Sequence, residues 1–488
     1  MFLNNSEPSD SHRWAMFAVL LVGSFLPPLD FFIVNVALPS IQAELGTSSS
    51  AEQMVISSYA ALYAVTLITG GRLGDLYGRS RMFFLGLIGF AAASLLCGTA
   101  WSPWVLIVGR AMQGVTAAIM APQALASVHA MFPESEKSLA LSLYGAVFGL
   151  AAVIGQVLGG VLISLNLFGM GWRMVFLVNL PIAVVVLVFG IPLLKNTQKR
   201  YTGKLDLGGM GLSILTLALL IVPLTEGREA GWPLWAWLSI SAAVLLGWIF
   251  WRHEGQLARD GGIPLINPTV MLAPGLGQAM LIALSFYSIG SFFLLFSIYL
   301  QNAMHVNALS AGLVFLPFGV GYLLGPLASP FCRRFIGNFV NPIGMGMESL
   351  CLVGLAWLVN ATPTGVVPTS VPLATMLFLI GFGQGLALPV LMRMITGRVD
   401  PAFSGMIAGV ASSTLQLSTA LSVAVIGGIF YTLLDVRFNP EAITDAFSIA
   451  ALCIAFCLAI GVILSIKLIQ RDNARIKKRS AINNNMPS

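Results

Sequence analysis

The feature that most constrains this chain is a series of apolar runs, separated from one another by glycine, proline and charged residues. A helix of about 20 largely apolar residues is long enough to span the hydrocarbon core of a bilayer. The sequence therefore predicts an all-α integral membrane protein with fourteen spanning helices. Their predicted ranges are 14–36, 52–71, 81–100, 103–125, 137–163, 172–194, 206–225, 232–251, 271–299, 309–331, 341–360, 370–392, 402–431 and 446–468.

Composition supports this interpretation and excludes several function classes. Hydrophobic residues make up 57% of the chain and charged residues only 9%, whereas about a quarter of a soluble protein is charged. A globular core could not hide so much apolar surface, so lipid must surround most of the chain. The five cysteines lie in or beside apolar runs, where we expect small buried hydrophobic residues and no metal site. The four histidines are scattered, which argues against a membrane-embedded enzyme.

The placement of lysine and arginine predicts the orientation. If the N-terminus is cytoplasmic, 21 of the 25 basic residues lie in cytoplasmic loops and tails, as the positive-inside rule requires. We therefore expect an inner-membrane protein with both termini in the cytoplasm. The net charge of +6 then reflects topology, and no nucleic-acid partner is predicted.

The predicted spans group into two bundles with short connections. The domains are an N-terminal tail 1–13, a six-helix bundle 14–194, a cytoplasmic linker 195–205, two additional helices 206–251, a second six-helix bundle 271–468 and a basic tail 469–488. The longest outer loops, 37–51 and 361–370, are too short to form a domain. GRLGD at 71–75 has a weak counterpart in GPLAS at 325–329, which suggests duplicated halves of the kind common in transporters.

Three ionisable residues lie inside predicted spans, where a charge costs a few kcal/mol and is a functional candidate by default. Asp30 and Arg110 each lie about 10 Å below the outer ends of their helices. Equal depth allows them to couple through protonation, or to form a static structural ion pair. Glu348 could relay protons, or it could pair with Arg333 or Arg334 at the inner surface.

Uncharged polar residues are also spread along the spans. They could line a substrate cavity, although interhelical hydrogen bonds would account for many of them. The cavity candidates are Gln113, Gln278, Tyr287, Ser291, Gln301 and Gln384.

The segment GGRLGDLYGRSR, residues 70–81, concentrates charge between the second and third spans. Gly71 and Gly78 permit a tight turn, and Asp75 can cap a helix or pair with a nearby arginine. Arg79 and Arg81 complete the segment. A catalytic or nucleic-acid role lacks partners, so our hypothesis is a charge latch that switches between the two bundles.

Glycines recur in the fifth span at G-x-x-x-G spacing, in the pairs Gly145 with Gly149 and Gly155 with Gly159. This spacing lets helices approach closely in a membrane.

Together these stretches resemble the major facilitator superfamily, and within it the fourteen-span drug:proton antiporters of the EmrB/QacA type. The resemblance rests on GRLGDLYGRSR, on LDFFIVNVALPSI at 29–41, on RAMQG at 110–114 and on YLQNAMHVNALSAGLVFLP at 299–317. It implies the major-facilitator fold, with two six-helix bundles plus two central helices, and a role for RAMQG in proton coupling. The fifth-span antiporter motif keeps Gly155, Gly159 and Gly160 but has Gln156 where proline is usual, which restores a backbone donor and removes a kink.

The function predicted from this resemblance is proton-coupled efflux of amphipathic or cationic organic compounds by alternating access. Asp30, Arg110 and Glu348 are the proton-coupling candidates. The proton motive force supplies the energy without a cofactor, since no phosphate-binding loop is present. The alternative is a dedicated exporter of one endogenous metabolite or antibiotic. The expected partners are the small-molecule substrate, protons and lipid; we expect a functional monomer, and the sequence leaves a periplasmic adaptor open.

Overall fold

The computed structural model describes residues 10–194, 206–262, 264–363, 370–400, 403–434 and 439–484, and the long elements in these ranges are helices. We number the long helices in chain order. They are α1 (Asp10–Leu45), α2 (Ser49–Tyr77), α3 (Arg79–Gly98), α4 (Pro103–Met131), α5 (Glu134–Leu165), α6 (Gly171–Leu193), α7 (Leu207–Glu229), α8 (Leu234–Arg259), α9 (Leu276–Ala303), α10 (Leu316–Ile336), α11 (Val340–Ala361), α12 (Ser370–Thr396), α13 (Ser404–Leu434) and α14 (Pro440–Asn484).

Each predicted run coincides with a helix. Thirteen continuous stretches in the described chain are long and apolar enough to cross a membrane, and one of them, Ala308–Ala361, has 54 residues. A helix of that length would extend roughly 80 Å, more than twice the thickness of the hydrocarbon core. The chain turns within it at Gly337, whose φ of +56° favours glycine. Counting α10 and α11 separately, the described residues contain the fourteen predicted helices.

Two predicted connections are helical instead. The predicted loop 37–51 is mostly the end of α1, which continues to Leu45 because Leu38 and Ile41 remain fully buried and extend its packed face. The predicted tail 469–488 continues α14 as far as Asn484. Asp472 on this extension forms an ion pair with Arg398 at 2.5 Å. The predicted linker 195–205 lies outside the described residues.

The chain divides into two compact units: Met1–Leu265 with Asn307–Leu313, and Ile266–Val306 with Val314–Ser488. The same helix pairings occur in both. In the first unit α2 and α3 each pack along α4, and α1 packs along α5; in the second, α10 and α11 pack along α12, and α9 packs along α13. Residues 325–329, the predicted counterpart of 71–75, do not occupy the same position relative to the following turn. Ser329 lies eight residues before the turn at Gly337, whereas Asp75 lies three residues before the turn at Gly78.

The additional pair α7 and α8 packs with the first unit, where α7 contacts α2. Only 17% of the residues in the apolar stretch of α7 and 11% of those in the apolar stretch of α8 are buried, against 78% in α2. Large apolar side chains such as Leu234, Trp237 and Val244 are exposed. Such surface is stable only against lipid, so these two helices lie at the periphery of the unit.

Candidate functional site

The candidate site is a fully buried ion pair in the first unit, formed by Asp30 of α1 and Arg110 of α4. Pro27 and Pro28 lie one turn before Asp30. They have no N–H group, so two carbonyls of the preceding turn lose their helical donors. The Tyr59 hydroxyl of α2 donates a hydrogen bond to the Pro27 carbonyl at 3.2 Å. One side chain from α2, Tyr59, thus binds the backbone of α1 about one turn before Asp30.

The carboxylate of Asp30 accepts hydrogen bonds from side chains of two helices, α4 and α6. Arg110 Nη1 donates to Oδ2. Gln113 Nε2 of α4 and Asn179 Nδ2 of α6 each donate to Oδ1 at 2.9 Å. The same two amides donate to the Ser94 hydroxyl of α3, at 2.8 and 3.2 Å. The Asp30 carboxylate is thus bound by an ion pair and by a shared network of amide hydrogen bonds.

The Arg110 guanidinium also has partners other than Asp30. Nε donates to the Val55 carbonyl of α2 at 3.0 Å, and Nη1 donates to Gln113 Oε1 at 2.8 Å. The guanidinium carbon lies 4.4 Å from the centre of the Tyr59 ring, within range of a cation–π interaction. These contacts require α4 to lie close to α2. A Cβ at Gly114 would be 2.4 Å from the Tyr59 carbonyl oxygen, so only glycine allows that approach.

Asp30 and Arg110 therefore form the ion pair that their equal depth allows, and its role in proton coupling stays a prediction. Gln113, which the sequence placed in the substrate cavity, lies in this buried cluster instead. As a unit the ion pair is electrically neutral and buried away from water. Protonation of Asp30 would remove its charge and leave Arg110 as an isolated buried cation, which is costly in a low-dielectric interior. A single proton would therefore change the energy of this site by several kcal/mol.

Two members of the cluster were missed by the sequence analysis. Ser94 and Asn179 are small polar residues within apolar spans, a pattern shared with many interhelical contacts. Nothing in their local sequence connects them to Asp30, which lies 149 residues before Asn179. Only the packing of α3 and α6 against α1 brings them together.

The predicted switch segment forms the junction of α2 and α3. Gly78 has a φ of +98°, which favours glycine and explains the turn. Arg79 Nη1 donates to the Ala126 carbonyl of α4 at 2.7 Å, while Arg81 is exposed. The side chain of Asp75 lies outside the described residues, so the latch stays a prediction.

The close helix contact in this segment involves neighbouring glycines. Gly71 lies within α2 and not in the turn, which corrects the expectation for this residue, and a Cβ there would make only an ordinary contact, 3.8 Å from Pro122 Cβ. A Cβ at Gly70 would lie 2.1 Å from the Ala118 carbonyl oxygen, and one at Gly74 would lie 1.8 Å from Gln123 Oε1. Gln123 Nε2 donates to the Gly70 carbonyl at 2.6 Å. This buried glutamine, also unforeseen, ties α4 to the end of α2.

The glycines of α5 divide into two groups. A Cβ at Gly145 would meet nothing within 4 Å, so the expectation of close packing is wrong at this residue. A Cβ at Gly155 or Gly159 would lie closer to the backbone of α1 than ordinary van der Waals contact allows. A Cβ at Gly160 would lie 2.5 Å from the Ala308 carbonyl oxygen. Gln156 is buried, and its backbone carbonyl faces Gly312 of the short helix Ala308–Val314.

The polar residues of α9 do not form one cavity. Gln278 donates to the Leu464 carbonyl of α14 at 2.8 Å and accepts from Arg471. Gln301 donates to Ser297 at 2.9 Å, and it lies roughly 35 Å along the helix from Gln278. Ser291 is bonded to Ser422 of α13 at 2.7 Å. Interhelical hydrogen bonds therefore account for Gln278 and Ser291, as the alternative interpretation held.

α9 is irregular in its middle and at its C-terminal end. Residues Tyr287–Ile289 form one 3₁₀ turn, and Tyr299–Ala303 form a π-turn. Mid-helix turns of these kinds frequently mark functional sites. Tyr287 and Ser288 lie at the first of these turns, beside Ser422, which donates to the Ser288 carbonyl.

Glu348 lies fully buried in α11, and neither of its carboxylate oxygens has a hydrogen-bond partner among the described residues. The expected alternative, an ion pair with Arg333 or Arg334, is therefore wrong. Those arginines are in the last turn of α10, whereas Glu348 is about 13 Å inside α11. Gln384 of α12 is also buried, and its Oε1 has no partner in the described structure.

A second charged cluster, not foreseen from the sequence, joins the ends of α7 and α8. Asp206, His253 and Glu254 each offer a ligand atom, all within 4.8 Å of one another, so this group could hold a metal ion. Asp206 accepts from the Gly209 N–H at 2.8 Å and bonds His253 Nε2 at 2.8 Å. Burial raises the pKa of Asp206, but the hydrogen bonds from Gly209 and His253 outweigh it, so the net pKa is lowered.

This lowered pKa predicts a pH-dependent contribution to stability. A depressed carboxyl pKa stabilises the fold above the unfolded value, about 3.9, and that stabilisation is lost as the pH falls through the folded pKa. Asp206→Asn should therefore speed amide exchange at Gly209 and the following turn at neutral pH. The difference from wild type should shrink below about pH 3.9. The exposed Asp260→Asn is the control, and an Asp206→Asn effect that persists unchanged in acid would contradict this account.

The sequence matches the Major Facilitator Superfamily over residues 20–423. A probable actinorhodin transporter of Streptomyces coelicolor is 36% identical over 436 residues, which cover 88% of this chain and 74% of that protein. The puromycin resistance protein pur8 of Streptomyces alboniger is 33% identical over 469 residues, covering 93% of this chain and 90% of that protein.

Solved structures agree at the level of the fold. A bacterial homologue of the human drug peptide transporters PepT1 and PepT2 aligns with a TM-score of 0.66, over 94% of this chain and 98% of that chain. The two sequences are 14% identical. This likeness concerns the arrangement of helices and not the substrate.

Proposed function

Because this chain belongs to the major facilitator superfamily, we propose that it exports small organic compounds, antibiotics among them, in exchange for protons. The family and the multi-pass architecture make it a membrane transporter rather than an enzyme. Export is supported by the relatives, which are named for transport of, or resistance to, antibiotics. The positive-inside distribution supports an inner-membrane location with both termini in the cytoplasm.

The observation that carries proton coupling is the buried cluster around Asp30. Its carboxylate meets Arg110, Gln113 and Asn179, and none of these contacts involves solvent-exposed side chains. When a proton reaches Asp30, the attraction to Arg110 is lost and the first unit favours a conformation in which Arg110 finds other partners. When the proton leaves, the ion pair forms again. Each cycle thus links one protonation to one conformational change, and the proton motive force drives it without a cofactor.

A dedicated exporter of one compound is the second candidate. The relative that shares 36% identity is named for a single compound, actinorhodin. The two candidates differ in the range of compounds transported, and both use the same coupling cluster.

The test is gradient-driven uptake of a fluorescent dye into inverted membrane vesicles. Wild type should accumulate dye when a proton gradient is imposed and lose it when an uncoupler is added. Asp30→Asn should reduce gradient-driven uptake roughly a hundredfold, because the exchangeable proton is gone. The exposed Asp445→Asn is the matched control and should transport normally.

Two outcomes would contradict the proposal. Gradient-driven uptake by Asp30→Asn at the wild-type rate would remove Asp30 from the mechanism. Uptake by wild type that ignores the gradient would rule out proton exchange altogether.

A further inference from the structure

The polar cluster at the ends of α7 and α8 takes no part in the proposed coupling cycle. Asp206 immediately precedes α7, and His253 and Glu254 lie near the C-terminal end of α8. One ligand atom from each residue lies within 4.8 Å of the other two. Ligands of a single zinc ion lie up to about 4 Å apart, because each bond is about 2.0–2.2 Å long. Small movements of the side chains would therefore bring all three atoms around one ion.

Asp206 has one carboxylate oxygen that the surrounding backbone does not use. The side chain is only 5% exposed. Its Oδ1 accepts from the Gly209 N–H and bonds His253 Nε2, both at 2.8 Å. Its Oδ2 is buried and has no hydrogen-bond partner of ordinary geometry among the described residues. Buried polar atoms normally have partners, so Oδ2 is available to coordinate an ion.

Gly209 keeps open the space beside the two carboxyl groups. A Cβ at this residue would lie 2.1 Å from Asp206 Oδ2 and 2.3 Å from Glu254 Oε1, so both oxygens border the same small space. A Cβ at Gly208 would lie 3.3 Å from His253 Nε2. Two carboxylates this close repel each other unless a shared proton or a cation lies between them. The arrangement therefore favours a bound positive charge.

The position of this cluster gives a bound cation a structural role. α8 packs mainly along α7, and many of its large apolar side chains, such as Trp237 and Val244, are exposed. Apolar surface gives little drive for two helices to associate in a bilayer, because lipid is as apolar as the side chains. Polar and ionic contacts between α7 and α8 therefore contribute more to holding this pair together.

We propose that Asp206, His253 and Glu254 bind one divalent transition-metal ion such as Zn²⁺, which clamps the N-terminal end of α7 to the C-terminal end of α8. Zinc accepts an imidazole together with carboxylates, whereas Mg²⁺ and Ca²⁺ prefer oxygen ligands. The two carboxylates balance the charge of the ion, and three protein ligands leave a fourth position for water. His253 is 36% exposed, so the ion can enter from solvent. The site is independent of the export mechanism.

The experiment titrates Zn²⁺ into the purified full chain, without a polyhistidine tag and after treatment with a chelator, and measures bound metal and amide exchange. Wild type should bind about one Zn²⁺ per chain, and excess Mg²⁺ should not displace it. With free Zn²⁺ at a hundred times its Kd, exchange of the Gly209 amide should slow by up to about a hundredfold. His253→Gln should bind Zn²⁺ at least about tenfold more weakly and lose this slowing.

Two further variants make the result specific. His305→Gln is the matched control, because His305 is an exposed histidine outside the cluster, and its replacement should leave Zn²⁺ binding unchanged. Glu254→Gln removes a ligand of a different kind and should also weaken binding. Thermal unfolding without metal shows whether each variant is folded, and the wild-type titration tests the site without any substitution.

Three results would overturn the proposal. If wild type bound no Zn²⁺ at micromolar concentration, shared protons and not a metal ion would hold the two carboxyl groups together. Undiminished binding by folded His253→Gln and Glu254→Gln would place the ion elsewhere in the chain. Binding at the cluster without slower exchange at Gly209 would show that the ion does not clamp the two helices.

Discussion

Replacing Arg110 with methionine should abolish gradient-driven transport and destabilise the first unit by about 3–5 kcal/mol, the usual cost of removing one member of a buried ion pair. Methionine fills much of the same volume, so the main loss is electrostatic. Asp30 would keep the amides of Gln113 and Asn179 but lose its only described counter-ion. The measurements are thermal unfolding in detergent and dye uptake by inverted vesicles.

A double variant separates the two consequences. Asp30→Asn combined with Arg110→Met removes both charges, so it should recover most of the lost stability while transport stays absent. The matched control is Arg173→Met. Arg173 pairs with Glu44 at 2.5 Å, but the Glu44 side chain is 50% exposed, so losing this pair should cost less than about 1 kcal/mol. If Arg110→Met proved as stable as Arg173→Met, the ion pair would not hold the first unit together.

The second large effect is expected at a glycine contact in the second unit. A Cβ at Gly381 of α12 would lie 2.0 Å from the Phe318 carbonyl oxygen of α10. The obstacle is backbone and cannot rotate away, so Gly381→Ala must push the two helices apart. Overpacking of this kind costs about 1–3 kcal/mol or more. We expect the upper end of that range, seen as a lower unfolding temperature and a poor yield of folded protein.

Gly428 of α13 provides the control, since a Cβ there would meet nothing within 4 Å. Gly428→Ala should leave the protein as stable as wild type or stabilise it by up to about 1 kcal/mol, because alanine favours the helix. Equal behaviour of the two alanine variants would show that α10 and α12 do not depend on the contact at Gly381. In the first unit, Gly114→Ala is the corresponding destabilising variant and Gly145→Ala its control.

The buried cluster around Asp30 was partly predictable from sequence. Asp30 and Arg110 stand out because a charge within an apolar span is rare, and counting residues from the helix ends places them at the same depth. Gln113 lies one turn from Arg110. Ser94 and Asn179 carry no such signal, because a lone serine or asparagine in a span is an ordinary helix contact.

Other predictions failed for reasons of local packing. The spacing of Gly145 suggested a helix contact, but no neighbour lies within 4 Å of a Cβ there. For Glu348 the sequence left two interpretations, a proton relay and an ion pair at the inner surface. Its carboxyl is buried without a described partner, which excludes the ion pair. Spacing along a helix specifies which residues share a face, but not which neighbour that face meets.

By itself, the sequence determined that the chain is a multi-pass membrane protein and where its long apolar helices lie, since each run of about 20 apolar residues must satisfy its backbone within a helix surrounded by lipid. It also determined that Asp30 and Arg110 are exceptional, because few charges tolerate that environment. The tertiary structure decided which charges have partners. Packing of α4 and α6 against α1 supplies the described donors to Asp30, whereas packing of α9 to α12 leaves Glu348 without a described donor. Contacts between helices far apart in the chain depend on shape and close backbone approach, which hydrophobic patterns do not encode.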